Sequence, residues 1–161
     1  MIVFAIDPGC AQSAYCMMDG DAVPMHFDKV PNEDLIQLLR NYAKSLTAVV
    51  IERVASYGMP VGREVFETCE WIGRYTQVAL DLVLPVEYVF RQEEKLSICH
   101  SPKATDATIR KALIDRFAKH DFRTGKGCSS SPDFFYGFKA DIWTAFATGI
   151  SWLCKKGVIM V

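Results

Sequence analysis

No stretch of this sequence approaches the ~20 consecutive apolar residues that a membrane-spanning helix requires. No leader pattern of charged, apolar and small residues is visible at Met1, so the expected location is the cytoplasm. The six cysteines (Cys10, Cys16, Cys69, Cys99, Cys128 and Cys154) form no C-x-x-C pair. They read as reduced core thiols, not as a disulfide framework or a zinc site. His26, His100 and His120 are isolated and lack metal-ligand spacing. Gly125-Lys126 does not make a phosphate loop, because that motif needs glycine where His120 stands and has no place for Cys128. Strong net charge is missing too: the total is −1. The charge is nevertheless uneven. Arg91 to Lys126 holds nine basic residues against five acids, a net +4, which leaves −5 on the remainder. A basic stretch beside an acidic remainder suits a polyanion-facing surface next to a carboxylate site, or simply a solvated helix face.

What is present is a 161-residue chain of ordinary globular composition, read as one domain over 1–161. Ile2 to Ile6 form an apolar run that reads as a buried central strand, ended by Asp7 at a Pro8-Gly9 turn. Ser13–Met18 and Ala22–Phe27 flank Asp19-Gly20-Asp21 and predict an antiparallel meander. Asn32 or Asp34 is placed to cap a helix running to about Ser45. Ala48–Glu52 is a second apolar strand ending in an acid. If the helix between them is a crossover, Asp7 and Glu52 emerge from the same sheet edge. An ion pair of Glu52 with Arg53 or Arg63 is the competing explanation.

Arg53–Arg63 reads as a loop on which Tyr57 is available to stack on an unpaired base. Glu64–Leu82 predicts a long helix apolar on more than one side, with Val65, Cys69, Ile72, Val78 and Ala79 towards the sheet and a subunit contact on the other side. Pro85–Phe90 predicts a fifth strand, and Thr105 or Asp106 caps the next helix. Residues His120–Gly137 read as a long mobile loop. A terminal helix starts at Lys139 or Ala140, and Asp141 is the single acid of its apolar surface. Its place in the first turn is sufficient reason for a carboxylate, through the helix dipole.

Three converging acids are what divalent hard cations require. The ordered set Ile6-Asp7-Pro8-Gly9 with Ser13-Ala14, Val50-Ile51-Glu52, and Tyr136-Gly137-Phe138-Lys139-Ala140-Asp141-Ile142-Trp143-Thr144-Ala145 resembles the motifs of RuvC-type Holliday junction resolvases. The phage-encoded branch of that family, in the ribonuclease H-like superfamily, is the most similar. The resemblance implies an α/β fold with a five-stranded mixed central sheet flanked by helices. It also implies a homodimer that binds four-way DNA junctions and nicks two opposing strands symmetrically with Mg²⁺ or Mn²⁺. Asp7, Glu52 and Asp141 would hold the metals, and water would be the nucleophile. Tyr57, Lys95, Lys103 and Lys139 would contact DNA. The family commonly ends in Asp-x-x-Asp, whereas this chain has Asp141-x-x-Thr144, with Asp133 a weak substitute. Two alternative readings keep the fold. One is a nuclease for other branched DNA or for RNA, and the other is a junction-binding protein without cleavage.

Overall fold

The computed structural model describes residues 1–56 and 58–160. Five strands build the central sheet: β1 (Ile2–Asp7), β2 (Gln12–Asp19), β3 (Pro24–Pro31), β4 (Ala48–Arg53) and β5 (Val86–Phe90), in the order β3-β2-β1-β4-β5. β1 pairs antiparallel with β2 and parallel with β4, and β4 pairs parallel with β5. The sheet is therefore mixed, with the most apolar strand at its centre.

Alternation along β1 divides the core in two. Val3 and Ala5 face one helical layer, and Phe4 and Ile6 face the other. The Phe4 side is covered by α1 (Asn32–Tyr42, continued by a 3₁₀ turn through Ser45) and α2 (Arg63–Asp81). The Val3 side is covered by α3 (Arg91–Cys99), α4 (Asp106–Phe117) and α5 (Ile142–Lys155). Among the described residues no helix is long and apolar enough to cross a membrane.

Several expectations shift. The third strand starts later and runs further than Ala22–Phe27, because the Asp19 carboxylate accepts the N–H groups of Asp21 and Val23 and widens the turn. No side chain caps α1. Asn32 instead turns back towards Gly9. In α2, Thr68 and Tyr75 face inward with Ile72 and Ala79, while Cys69 is exposed. Cys128 is exposed as well, so the thiols are free but not uniformly core residues. The α3 helix adds an element that the sequence pattern does not announce. Its first turn is charged, and Glu93 Oε2 accepts the Phe90 N–H at 2.8 Å to start it.

Residues 120–137 are knitted rather than loose. Gly127–Cys128 (β6) and Ser131–Pro132 (β7) form a small hairpin. Asp133, its side chain completely buried, accepts N–H groups from Lys119, His120, Asp121 and Phe134. Against the cost of burial, those bonds hold its carboxyl well below the usual range. Asp133 is a structural anchor and not the substitute acid.

The α5 helix begins at Ile142, two or three residues later than expected, after Ala140 takes a left-handed conformation (φ 33°). It lies close on the sheet because Gly149 leaves room: a Cβ there would fall 2.3 Å from Met18 Cε and 3.2 Å from Ala5 Cβ. Met18 can swing away, but Ala5 sits on the central strand. Gly149→Val is therefore expected to destabilise the fold by about 1–3 kcal/mol, through overpacking. Urea denaturation measures this, and an unchanged midpoint would contradict the close approach.

Candidate active site

The Asp7 turn is built before its chemistry is considered. A Cβ on Gly9 would stand 2.3 Å from the Gln12 carbonyl oxygen, so the turn needs glycine there. The Gly9 N–H donates to Ser13 Oγ (3.1 Å), and the Asn32 amide donates to the Gly9 carbonyl (2.9 Å). Ser13 Oγ donates to Asn32 Oδ1 (2.7 Å), so at 2.9 Å it accepts from the Tyr75 hydroxyl. Ser13, Asn32 and Tyr75 are all buried. This satisfied network ties the Asp7 turn to α1 and α2, fixing the strand end in place.

Ile6 pairs with Ile51 in the parallel register of β1 and β4, so the next residue on each strand is an acid, Asp7 beside Glu52. The two carboxyl groups are in hydrogen-bond contact. Burial raises both above the ordinary carboxylate range, and mutual repulsion adds to the rise in Asp7. Either a proton or a cation relieves that repulsion. Neither arginine weighed as a partner for Glu52 engages it: Arg63 pairs with Glu67, and Arg53 lies over the Tyr88 ring.

Asp141 borders the same cleft, lining one cavity with Asp7 and Lys29 and another with Arg91 and Thr144. It is half exposed and paired with Lys29 Nζ on β3 at 2.5 Å. It precedes α5 but makes no side-chain cap.

The structure adds Glu94 and Arg91, both on α3. Glu94 is completely buried. Thr148 Oγ1 donates to its Oε1 at 2.7 Å, and Arg91 donates to Oε2. Burial, with the Glu52 charge next, raises the Glu94 carboxyl to about 8. Thr148 lies one turn beyond Thr144 on α5. Glu94 lies on a different helix from Thr144 and lines none of the cavities around Asp7, Glu52 and Asp141. The Arg91 guanidinium is held by Glu94 and Asp106, and it lines both the Asp7–Glu52 cavity and the Asp141–Thr144 cavity. In sequence Glu93-Glu94 sits in a charged run after the fifth strand, and nothing there separates the capping acid from the buried one.

Lys95 is half-buried on α3, Lys103 is exposed before α4, and Lys139 is exposed before α5. None of the three lines the cavities around the acids. Tyr57 lies outside the described residues.

Among the described residues no three Asp, Glu, His or Cys side chains converge on one point as a ready chelate. The donor chemistry nevertheless fits a hard divalent cation. Asp7 and Glu52 offer adjacent oxygens whose repulsion is relieved only by a proton or a cation, and Asp141 flanks them.

Structural comparison reveals the same chain path elsewhere. A Thermus thermophilus RuvC structure is 12% identical, with a TM-score of 0.70 over 99% of each chain. T. thermophilus RuvC in complex with a Holliday junction substrate is 13% identical, with a TM-score of 0.70 over 99% of this chain and 98% of that one. The yeast mitochondrial Holliday junction resolvase Ydc2 is 14% identical, with a TM-score of 0.61 over 97% of this chain and 79% of that one. No protein-family pattern matches the sequence, and no curated protein does. The chain thus has the ribonuclease H-like fold of RuvC, a five-stranded mixed sheet flanked by helices.

These protonation states predict a pH dependence. Asp7, Glu52 and Glu94 hold protons more tightly folded than unfolded, so raising the pH favours the unfolded chain. Without divalent cations the melting temperature should fall as the pH rises from about 4 to about 9. The lowered carboxyls of Asp121 and Asp133 act only at more acidic pH. Mg²⁺ or Mn²⁺ should raise the melting temperature, more at the upper end because ligation needs deprotonated carboxylates. Asp7→Asn should flatten both responses. A wild-type melting temperature insensitive to pH and metal would contradict this assignment.

Proposed function

We propose that this protein is a divalent-metal-dependent endonuclease that resolves four-way DNA junctions, acting as a homodimer. The observation that carries the reading is the Asp7–Glu52 carboxyl pair at adjacent strand ends of a RuvC fold, with Asp141 on the flank. Mg²⁺ or Mn²⁺, when bound, supplies positive charge at the scissile phosphate and activates water for in-line attack.

The chain's own residues do the rest. Asp7 and Glu52, once deprotonated, present fixed oxygens, and the Ser13 network keeps the Asp7 turn from moving. Asp141, paired here with Lys29, would join Asp7 and Glu52 in holding the cation, and Lys29 would then be free for a DNA phosphate. Arg91, held by Glu94 and Asp106, offers a fixed cation to a non-bridging phosphate oxygen. Lys95, Lys103 and Lys139 act further out as backbone contacts, and Tyr57 stacks on a base near the branch. Phe66 and Leu80, exposed on one face of α2, give a second subunit apolar contacts. Two such subunits place two cuts symmetrically on opposing strands.

A labelled synthetic four-way junction with Mg²⁺ tests this. The wild type should give paired nicks on opposing strands, and Asp7→Asn should lower the rate by about 100-fold or more while retaining binding. Junction binding without cleavage, with Mn²⁺ also tried, would identify a non-catalytic junction-binding protein. Cleavage without preference for the junction over linear DNA would indicate a general nuclease of the same fold.

A further inference from the structure

We infer that DNA leaving the acid cluster runs along a second groove, between α4 and the Arg123–Gly127 turn, where Arg110, Arg123 and Lys126 hold its phosphates. This rests on the proposed nuclease function and deepens it by placing the substrate strand. The groove, about 310 Å³, is lined by Arg110, Ile114, Arg123, Thr124, Lys126, Gly127 and Trp143, with no acid among them. Arg110 and Trp143 also line the cavity that holds Arg91 and Asp141, so the two spaces share a wall. Arg110, Arg123 and Lys126 take part in no ion pair among the described residues.

The turn is organised before any ligand arrives. Asp121 accepts the N–H groups of Arg123, Thr124 and Gly127 and the Thr124 hydroxyl, so its charge is taken up by the turn itself. Gly125, at φ +71°, seats the turn on the core, since a Cβ there would stand 2.7 Å from the Phe135 ring and 3.1 Å from Ile114. Arg110 lies over the Trp143 ring, 5.1 Å from its centroid, which restrains that guanidinium. Three cations in a groove lined by no acid, two on a braced turn and one on an indole, match a run of successive phosphates. A cationic peptide or a neutral ligand has no complement here.

The experiment is a salt titration of DNA binding by the full chain with Ca²⁺ in place of Mg²⁺, using a four-way junction and a linear duplex of the same sequence. The variants are Arg123→Gln/Lys126→Gln, at an exposed and a half-buried position, and separately Arg110→Gln, with melting curves as the folding control. Each lost phosphate contact should reduce the slope of log affinity against log salt by about 1, on either DNA. Slopes unchanged in both folded variants would overturn the groove, even if the wild type resolves junctions. Reduced slopes on both DNAs without junction preference would uphold the groove and overturn the junction reading. A wild type that binds neither DNA would overturn both.

Discussion

Two carboxyl groups on neighbouring parallel strands face each other at the edge of this sheet, and much of the structure serves to keep them there. Like charges at contact distance repel, and burial raises the cost, so Asp7 and Glu52 reach a stable state only with a proton or a cation. The register of β1 on β4 leaves them no way to separate, because Ile6 and Ile51 are locked in adjacent pairing and completely buried. Ser13, Asn32 and Tyr75 close the remaining freedom by tying the turn after Asp7 to both helices of one layer. The strain lies in electrostatics, while the backbone around it is well satisfied.

Around the cleft Arg91 on α3 pairs with Glu94 and Asp106, and Lys29 on β3 pairs with Asp141, while Asp7 and Glu52 are left facing each other. That imbalance makes the cleft receptive to cations, yet Arg91 keeps it from repelling phosphate outright. Glu94 belongs to this balance: buried against Thr148, it holds Arg91 where one guanidinium borders both cavities. Beyond Arg110 the sign reverses, and the Arg123–Gly127 turn continues the path as a basic groove.

The central strands are legible in the sequence because both faces of β1 and β4 are covered, which leaves unbroken apolar runs, each followed by an acid. Their terminal acids follow directly from parallel pairing. The α3 helix is not legible, since Arg91-Gln92-Glu93-Glu94-Lys95 carries no apolar period and the burial of Glu94 depends on Thr148 from the far end of the chain. The structure brings Asp141 to the cleft of Asp7, but its pairing with Lys29 is a contact across 112 residues that no local pattern announces. Residues 120–137 mislead for the opposite reason. Their glycines and serines suggest mobility, while the order comes from two aspartates binding backbone N–H groups, one of them buried.

The most direct test of the Asp7–Glu52 pair as a cation site is anomalous diffraction from crystals of the protein soaked in Mn²⁺ at neutral pH. A manganese peak is expected between Asp7 and Glu52, with Asp141 turned from Lys29 towards the ion. Crystals in which the two carboxyls remain in contact, with no manganese in the cleft, would contradict a cation site there.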